Sequence, residues 1–170
     1  GGAVCGSWWI GTQDEYGIPH SMMADGAPNG YTIVTFKGNK YSFEYKSARK
    51  PLSFQMQVYA PDEITLDEVT STVVQANIFA GSEKSKVEIK FGETGPWMLM
   101  EKAALPDQFY AKQYEIPVQK PGWIPRATDC PHMWKKALTG IARKGAYLIQ
   151  VKETDMFGQT HTGARIIVIK

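Results

Sequence analysis

Apolar and polar positions alternate with period two along much of the chain. Successive side chains of a strand point to opposite faces, so this alternation reads as half-buried strands. Phe54, Met56, Val58 and Ala60 share one parity, with Gln55, Gln57 and Tyr59 on the other. The pattern predicts a strand over 54–60, ended by Pro61-Asp62. Over 86–91, Val87, Ile89 and Phe91 face inward, while Lys84, Lys86 and Lys90 share the parity of a solvated face. Residues 31–36 and 41–45 flank Lys37-Gly38-Asn39 and predict a hairpin with a short Gly-Asn turn. Further strands are expected over 73–79, closed by Gly81-Ser82, over 97–101 after the turn Gly92-Glu93-Thr94-Gly95-Pro96, and over 134–138. The runs 147–153 and 163–169 predict a last hairpin across Asp155-Met156-Phe157-Gly158. The acidic segment 62–72 has room for one helical turn, and 105–114 for a short helix starting near Pro106-Asp107. Pro117, Pro121, Pro125 and Pro131 mark a long ordered loop. About nine short strands at roughly ten-residue spacing argue a β-sandwich or open barrel. The expectation is an all-β, mostly antiparallel β-sandwich, immunoglobulin-like in its C-terminal half, with one or two short helical turns.

Composition agrees with the pattern. Val, Ile and Thr number 35 against 6 Leu, and 20 aromatic residues add more strand-compatible side chains. No window of the 170 residues approaches the 18 apolar positions of a membrane-spanning helix. With 19 basic and 17 acidic residues the net charge is +2, which gives a nucleic-acid or anionic-membrane partner no electrostatic support. One β-rich unit over 3–170 is expected, with an N-terminal subdomain over 3–60 and an immunoglobulin-like part over 70–170. The chain opens Gly1-Gly2, without methionine, cationic segment or apolar leader. It reads as an excised fragment with a cloning scar over 1–2.

Candidate chemistry is sparse. His20, His132 and His161 are scattered, and no HxH, HExxH or CxxC occurs, so a metal site lacks local support. Asp25-Gly26-Ala27-Pro28-Asn29-Gly30 offers oxygens, but it lacks the alternating acids and distal glutamate of a calcium loop. A tight turn is the better reading. There is no GxxxxGK[ST], no GxGxxG after a strand and no GxSxG elbow. Asp14-Glu15 and Asp62-Glu63 sit in turn-like contexts and read as solvated caps, while Lys135-Lys136 and Arg143-Lys144 read as solvated loop ends. Cys5 and Cys130 are too few for a disulfide framework and read first as two unpaired thiols.

The aromatics carry more information. Trp8 and Trp9 are adjacent, so in a strand one meets the core and the other meets solvent, a partner or a ligand. Trp97, Trp123 and Trp134 read as core packing. An exposed tryptophan near Asp25, Asn29 and Arg49 would stack on a sugar or nucleobase while the polar groups orient it. Trp8, Trp9, Asp25, Asn29, Tyr31 and Arg49 are therefore the candidate ligand or interdomain contacts.

Four segments carry a family resemblance: Trp8-Trp9 with Gly17-Ile18-Pro19; Met23 through Asp25-Gly26-Ala27-Pro28-Asn29-Gly30-Tyr31; Phe54-Gln55-Met56-Gln57-Val58-Tyr59; and Gly145-Ala146-Tyr147 through Val151 to Thr154-Asp155-Met156-Phe157-Gly158. Together they resemble the C-terminal domain of bacterial calcineurin-like metallophosphoesterases. In that family a small β domain and a central catalytic domain come first. The resemblance spans nearly the whole chain, with the tryptophan pair and the Asp-Gly-x-Pro-Asn-Gly-Tyr segment as its distinctive part. The family's DxH, GDxxD, GNH[DE] and GHxH metal-ligand segments are absent from this chain. The resemblance thus implies an accessory domain that is inactive alone, with no catalytic residue and no metal of its own. Divalent ions and phosphoester hydrolysis belong to the catalytic domain of the same polypeptide, on which this domain would pack and whose cleft it would help shape. It also implies a periplasmic or extracellular location, which makes a Cys5–Cys130 bridge permissible. A carbohydrate-binding module of an exported protein, with a glycan ligand, is the alternative, and a purely structural immunoglobulin-like spacer a third reading.

Overall fold

The computed structural model describes residues 9–116 and 125–170. The chain divides into two compact units, Gly1–Leu52 with Ala104–Pro131, and Ser53–Ala103 with His132–Lys170.

The first unit begins with a hairpin of β1 (Trp9–Gln13) and β2 (Pro19–Met22), paired Trp9↔Met22 and Ile10↔Ser21. Its loop is held by Asp14, whose Oδ1 accepts from the N–H groups of Tyr16 and Ile18, both at 2.9 Å. β3 (Gly30–Lys37) and β4 (Lys40–Ser47) pair over their full lengths, from Gly30↔Ser47 to Lys37↔Lys40. The connection is the expected Gly38-Asn39 pair. Gly38 lies at φ +61°, the left-handed first position that a two-residue hairpin loop requires. Helix α1 (Gln108–Glu115) starts where the Pro106-Asp107 pair foretold. Asp107 is its N-cap, accepting from Tyr110 N–H at 2.9 Å.

Two sheets build the second unit. One has the order β10-β11-β7-β5, where β5 is Met56–Tyr59, β7 Val73–Ile78, β10 Glu101–Pro106 and β11 Asp129–Ala137. The chain crosses between the units within β10 and within β11. The other has the order β6-β13-β12-β8-β9, where β6 is Glu63–Ile64, β8 Lys86–Phe91, β9 Met98–Leu99, β12 Gly145–Thr154 and β13 Thr160–Ile169. β6 runs parallel to β13, whereas the other described registers are antiparallel. Met56, Val58, Val74, Ala76, Ile78 and Trp134 from the first sheet join Val87, Ile89, Phe91, Ile149, Val151, Ile167 and Ile169 from the second in one core. A shared core between two sheets is a sandwich, and the all-β expectation holds. The strand order is consistent with an immunoglobulin-like arrangement, β5, β7, β11 and β10 taking the places of A, B, E and D.

Three local differences from the expected elements have physical causes. The strand expected over 97–101 is broken at Met100, which is buried and gives its N–H to Val87 carbonyl at 2.9 Å; a new strand then runs from Glu101 to Pro106. The strand expected at 134–138 begins at Asp129, within the proline-marked segment. The acidic segment forms a 3₁₀ helix over Leu66–Ser71, with the Thr65 N–H and hydroxyl both donating to Glu68 Oε2.

Candidate functional site

The Asp25–Tyr31 segment is built as a loop of close contacts. Met23 N–H donates to Ala27 carbonyl and Gly26 N–H to Met23 carbonyl, both at 2.9 Å. Asp25 Oδ1 accepts from Ala27 N–H at 3.0 Å, a side chain holding its own turn. Gly26 sits at φ +83°, and a Cβ there would lie 2.0 Å from the Asp107 carboxyl carbon. Pro28 bridges Met22, and its carbonyl accepts from the Tyr45 hydroxyl. Asn29 N–H donates to Ser21 carbonyl at 3.0 Å, and Asn29 carbonyl accepts from Ala48 N–H at 2.9 Å. The segment thus ties β2 to β4. Burial pushes the Tyr45 hydroxyl up to about 12, with the Asp25 carboxylate adding to the shift. At neutral pH this phenol stays protonated and remains a donor.

Helix α1 anchors the same unit through polar contacts. Gln113 Oε1 accepts from Thr12 N–H at 3.0 Å and from its hydroxyl at 2.5 Å. Phe109 meets the His20 ring edge-on at 5.0 Å. Tyr110 is fully buried and donates to Pro125 carbonyl at 2.9 Å, and burial raises its hydroxyl pKa.

The six candidate contacts fare differently. Asp25 and Asn29 serve the loop just described. Tyr31 is exposed on β3, on the face it shares with Ile33. Arg49 occupies the left-handed region at φ +62° and places its guanidinium 3.0 Å from Asp14 Oδ2. The structure therefore gives Arg49 to Asp14, and Asp14 is more than the solvated cap expected of it. Asp14's carboxyl is held below its ordinary value, chiefly by the Ile18 N–H, then by Tyr16 N–H and Arg49. The two side chains are 51% and 21% exposed, so the pair adds little stability. Trp8, Cys5 and Trp123 lie outside the described residues, as does the side chain of Trp9.

Two expectations for surface groups need correction. Trp97 is 37% exposed rather than buried in the core, with the Lys152 ammonium 4.3 Å and that of Lys90 5.2 Å from its ring centroid. Nor is the lysine face of β8 merely solvated. Glu88 lies 2.9 Å from Lys86 and 3.0 Å from Lys152, which hold its carboxyl below the usual range. Two ammonium groups share the one carboxylate, and the Trp97 ring takes Lys152 and Lys90 on its face. Trp134 is in the core as expected.

The feature that sequence reading left unexploited is one face of the β3–β4 ribbon. Cross-strand partners share a face. The register therefore sets Thr32, Val34 and Phe36 beside Tyr45, Phe43 and Tyr41. Phe36 is 74%, Tyr41 54% and Val34 49% exposed, whereas Tyr45 is buried. The signal was present in the alternation of 31–36 and 41–45, but nothing in it said which residues would be covered.

Among the described residues, no group of three or more His, Cys, Asp or Glu is placed to hold a metal ion. A family model described as the C terminal of calcineurin-like phosphoesterase matches residues 1–161, and the chain belongs to that family. No curated protein and no solved structure matches it.

Proposed function

We propose that this chain is a non-catalytic accessory domain of a calcineurin-like metallophosphoesterase, packing on the catalytic domain of the same polypeptide and helping to shape its substrate cleft. The observation that carries the reading is the family match over 1–161. The chemistry here supports it. The described side chains form turns, caps and a sandwich core, in which Asp14, Asp25 and Asp107 accept from backbone N–H groups and Glu88 pairs with lysines. Phosphoester hydrolysis and its divalent ions belong, on this reading, to the catalytic domain, and the protein acts in the periplasm or outside the cell. Asp25, Asn29, Tyr31 and Arg49, with Trp8 and Trp9, are proposed contacts to that domain or its ligand.

The test compares the full-length parent with a truncation lacking these residues, on small and large phosphoesters. A loss of parent stability, or a changed preference between small and large substrates, is expected on truncation. Equal kinetics on every substrate with unchanged stability would overturn the reading. The glycan-binding alternative gains no support from the described tryptophans, since Trp134 is buried and Trp97 carries two ammonium groups over its ring.

A further inference from the structure

We infer that the outer face of the second unit's larger sheet carries a binding site for a phosphate group, built on Lys90, Lys152 and Lys86 beside Trp97. The site stands on this chain's own residues. Only the link from that phosphate to the parent's phosphoester substrate rests on the accessory-domain reading. Val87, Ile89, Ile149, Val151, Ile167 and Ile169 face the core, so the alternate positions of β8, β12 and β13 face outward. Glu88 is the one acid among those outward positions. Lys86 and Lys90 lie two residues to either side of it on β8, and Lys152 is its cross-strand partner on β12. Both Glu88 oxygens are taken, Oε1 by Lys86 at 2.9 Å and Oε2 by Lys152 at 3.0 Å. Lys90 pairs with no carboxylate among the described residues and donates instead to the main-chain carbonyl of Glu93 at 3.2 Å.

Three ammonium groups against one carboxylate leave the outer face of these strands net positive. The excess gathers on one ring, with the Lys152 and Lys90 ammoniums 4.3 and 5.2 Å from the Trp97 centroid. The indole favours each of them singly, but two like charges held there repel, and a shared anion removes that cost. Threonines add uncharged donors on the same face, since Thr154 is the partner of Lys86 and Thr162 that of Lys152. Trp97 and Thr162 are exposed, and 58% of the Lys86 side chain is open to solvent, so a ligand has access. The donor set selects the anion. A phosphate presents several oxygens and about two charges near neutral pH, enough to accept from lysines and hydroxyls together. A carboxylate has fewer oxygens and half that charge. Lysine suits phosphate as a point charge, without the planar fork that a carboxylate matches in arginine.

The experiment titrates the 170-residue chain with glycerol phosphate at fixed ionic strength and follows the indole N–H resonance of Trp97, assigned with Trp97→Phe. A saturable shift is expected, with acetate at least about tenfold weaker. Lys90→Gln with Lys152→Gln should weaken phosphate binding about tenfold or more, each change removing a charge-assisted hydrogen bond. Lys40→Gln, the same charge change at an exposed position on β4, should leave it unchanged. A readout that needs no variant is salt, since the unmutated chain should lose affinity as sodium chloride is raised. Sedimentation with phosphatidic acid vesicles, against phosphatidylcholine vesicles, separates a lipid headgroup from a soluble phosphoester. Binding in either arm that the double variant loses supports the site and identifies its source. No binding in either arm, acetate equal to phosphate, an affinity indifferent to salt, or binding unchanged in the folded double variant would each overturn the assignment. If truncation still alters the parent in that case, the phosphate site is wrong while the accessory role stands. If binding holds and truncation changes nothing, the site stands and the accessory role falls.

Discussion

At the residue scale, two glycines with left-handed backbones separate conformational strain from crowding. Gly38 has φ +61° with nothing within 4 Å of an added Cβ, whereas Gly26 has φ +83° and faces the buried Asp107 side chain at 2.0 Å. Gly38→Ala should cost only the backbone term, about 1–2 kcal/mol. Gly26→Ala should cost about 3–4 kcal/mol, because crowding against a fully packed carboxylate is added to strain. Urea denaturation of both variants checks the ordering, and equal losses would mean that Asp107 yields freely. Glu153 supplies a pH dependence. It is buried, accepts from the Ser85 hydroxyl at 2.7 Å, and faces His161 across the β12–β13 register, with Asp155 nearby. Burial raises its carboxyl above the ordinary 4.5, more than Ser85 and His161 lower it. The folded state then holds more protons than the unfolded chain between the ordinary and the raised value. Stability is therefore lost as pH rises through that window and is flat above it. Glu153→Gln should abolish this slope, so the stability difference between variant and parent protein should shift in the variant's favour between acid and neutral pH. A difference that does not vary with pH would show that the carboxyl titrates alike in both states.

At the element scale, helix α1 shows what sequence supplies and what it withholds. Its start was legible because Pro106-Asp107 combines a helix-terminating imino acid with an N-cap acceptor. Asp107→Ala removes the acceptor for Tyr110 N–H in a buried setting and should cost about 1–2 kcal/mol, with Asp107→Asn recovering most of it. Thermal melts of the two variants measure this, and equal losses would show that the charge matters rather than the cap. The preceding strand was not legible. Lys102-Ala103-Ala104-Leu105 has helical propensity, yet it is strand, since pairing in the sheet overrides a weak local preference. β8 was read to the residue because one face of it is core and the other polar, the condition under which alternation is informative. The β1–β2 hairpin went unassigned, although Asp14-Glu15-Tyr16-Gly17-Ile18 and Asp155-Met156-Phe157-Gly158-Gln159 form the same loop. In each, the aspartate accepts from two N–H groups two and four residues on, and the glycine has positive φ. The later copy was flanked by long apolar alternation and was recognised; the earlier one, between short strands, was not.

At the scale of the whole molecule, the family was readable from spaced motifs, while the arrangement of the first unit was not. Asp25 and Asn29 look like ligand groups in the sequence because polar residues beside glycines suit a binding loop equally well. What builds the loop is the approach of Gly26 to Asp107 and the main-chain bonds of Asn29 to Ser21 and Ala48, and no local pattern reports such distances. The same non-local contacts govern how the chain can be divided. The first unit combines Gly1–Leu52 with Ala104–Pro131, and the later segment brings the helix whose Gln113 holds Thr12, whose Phe109 meets His20 and whose cap packs on Gly26. A fragment of residues 1–60 keeps both hairpins but loses every one of those partners. Two-stranded sheets are marginal alone, so this fragment should give no cooperative thermal transition and little dispersion of its amide resonances. The whole chain should show both. Adding residues 104–131 through a short linker should restore cooperative unfolding, and a fragment 1–60 that already melts cooperatively would show that the helix is dispensable to the unit.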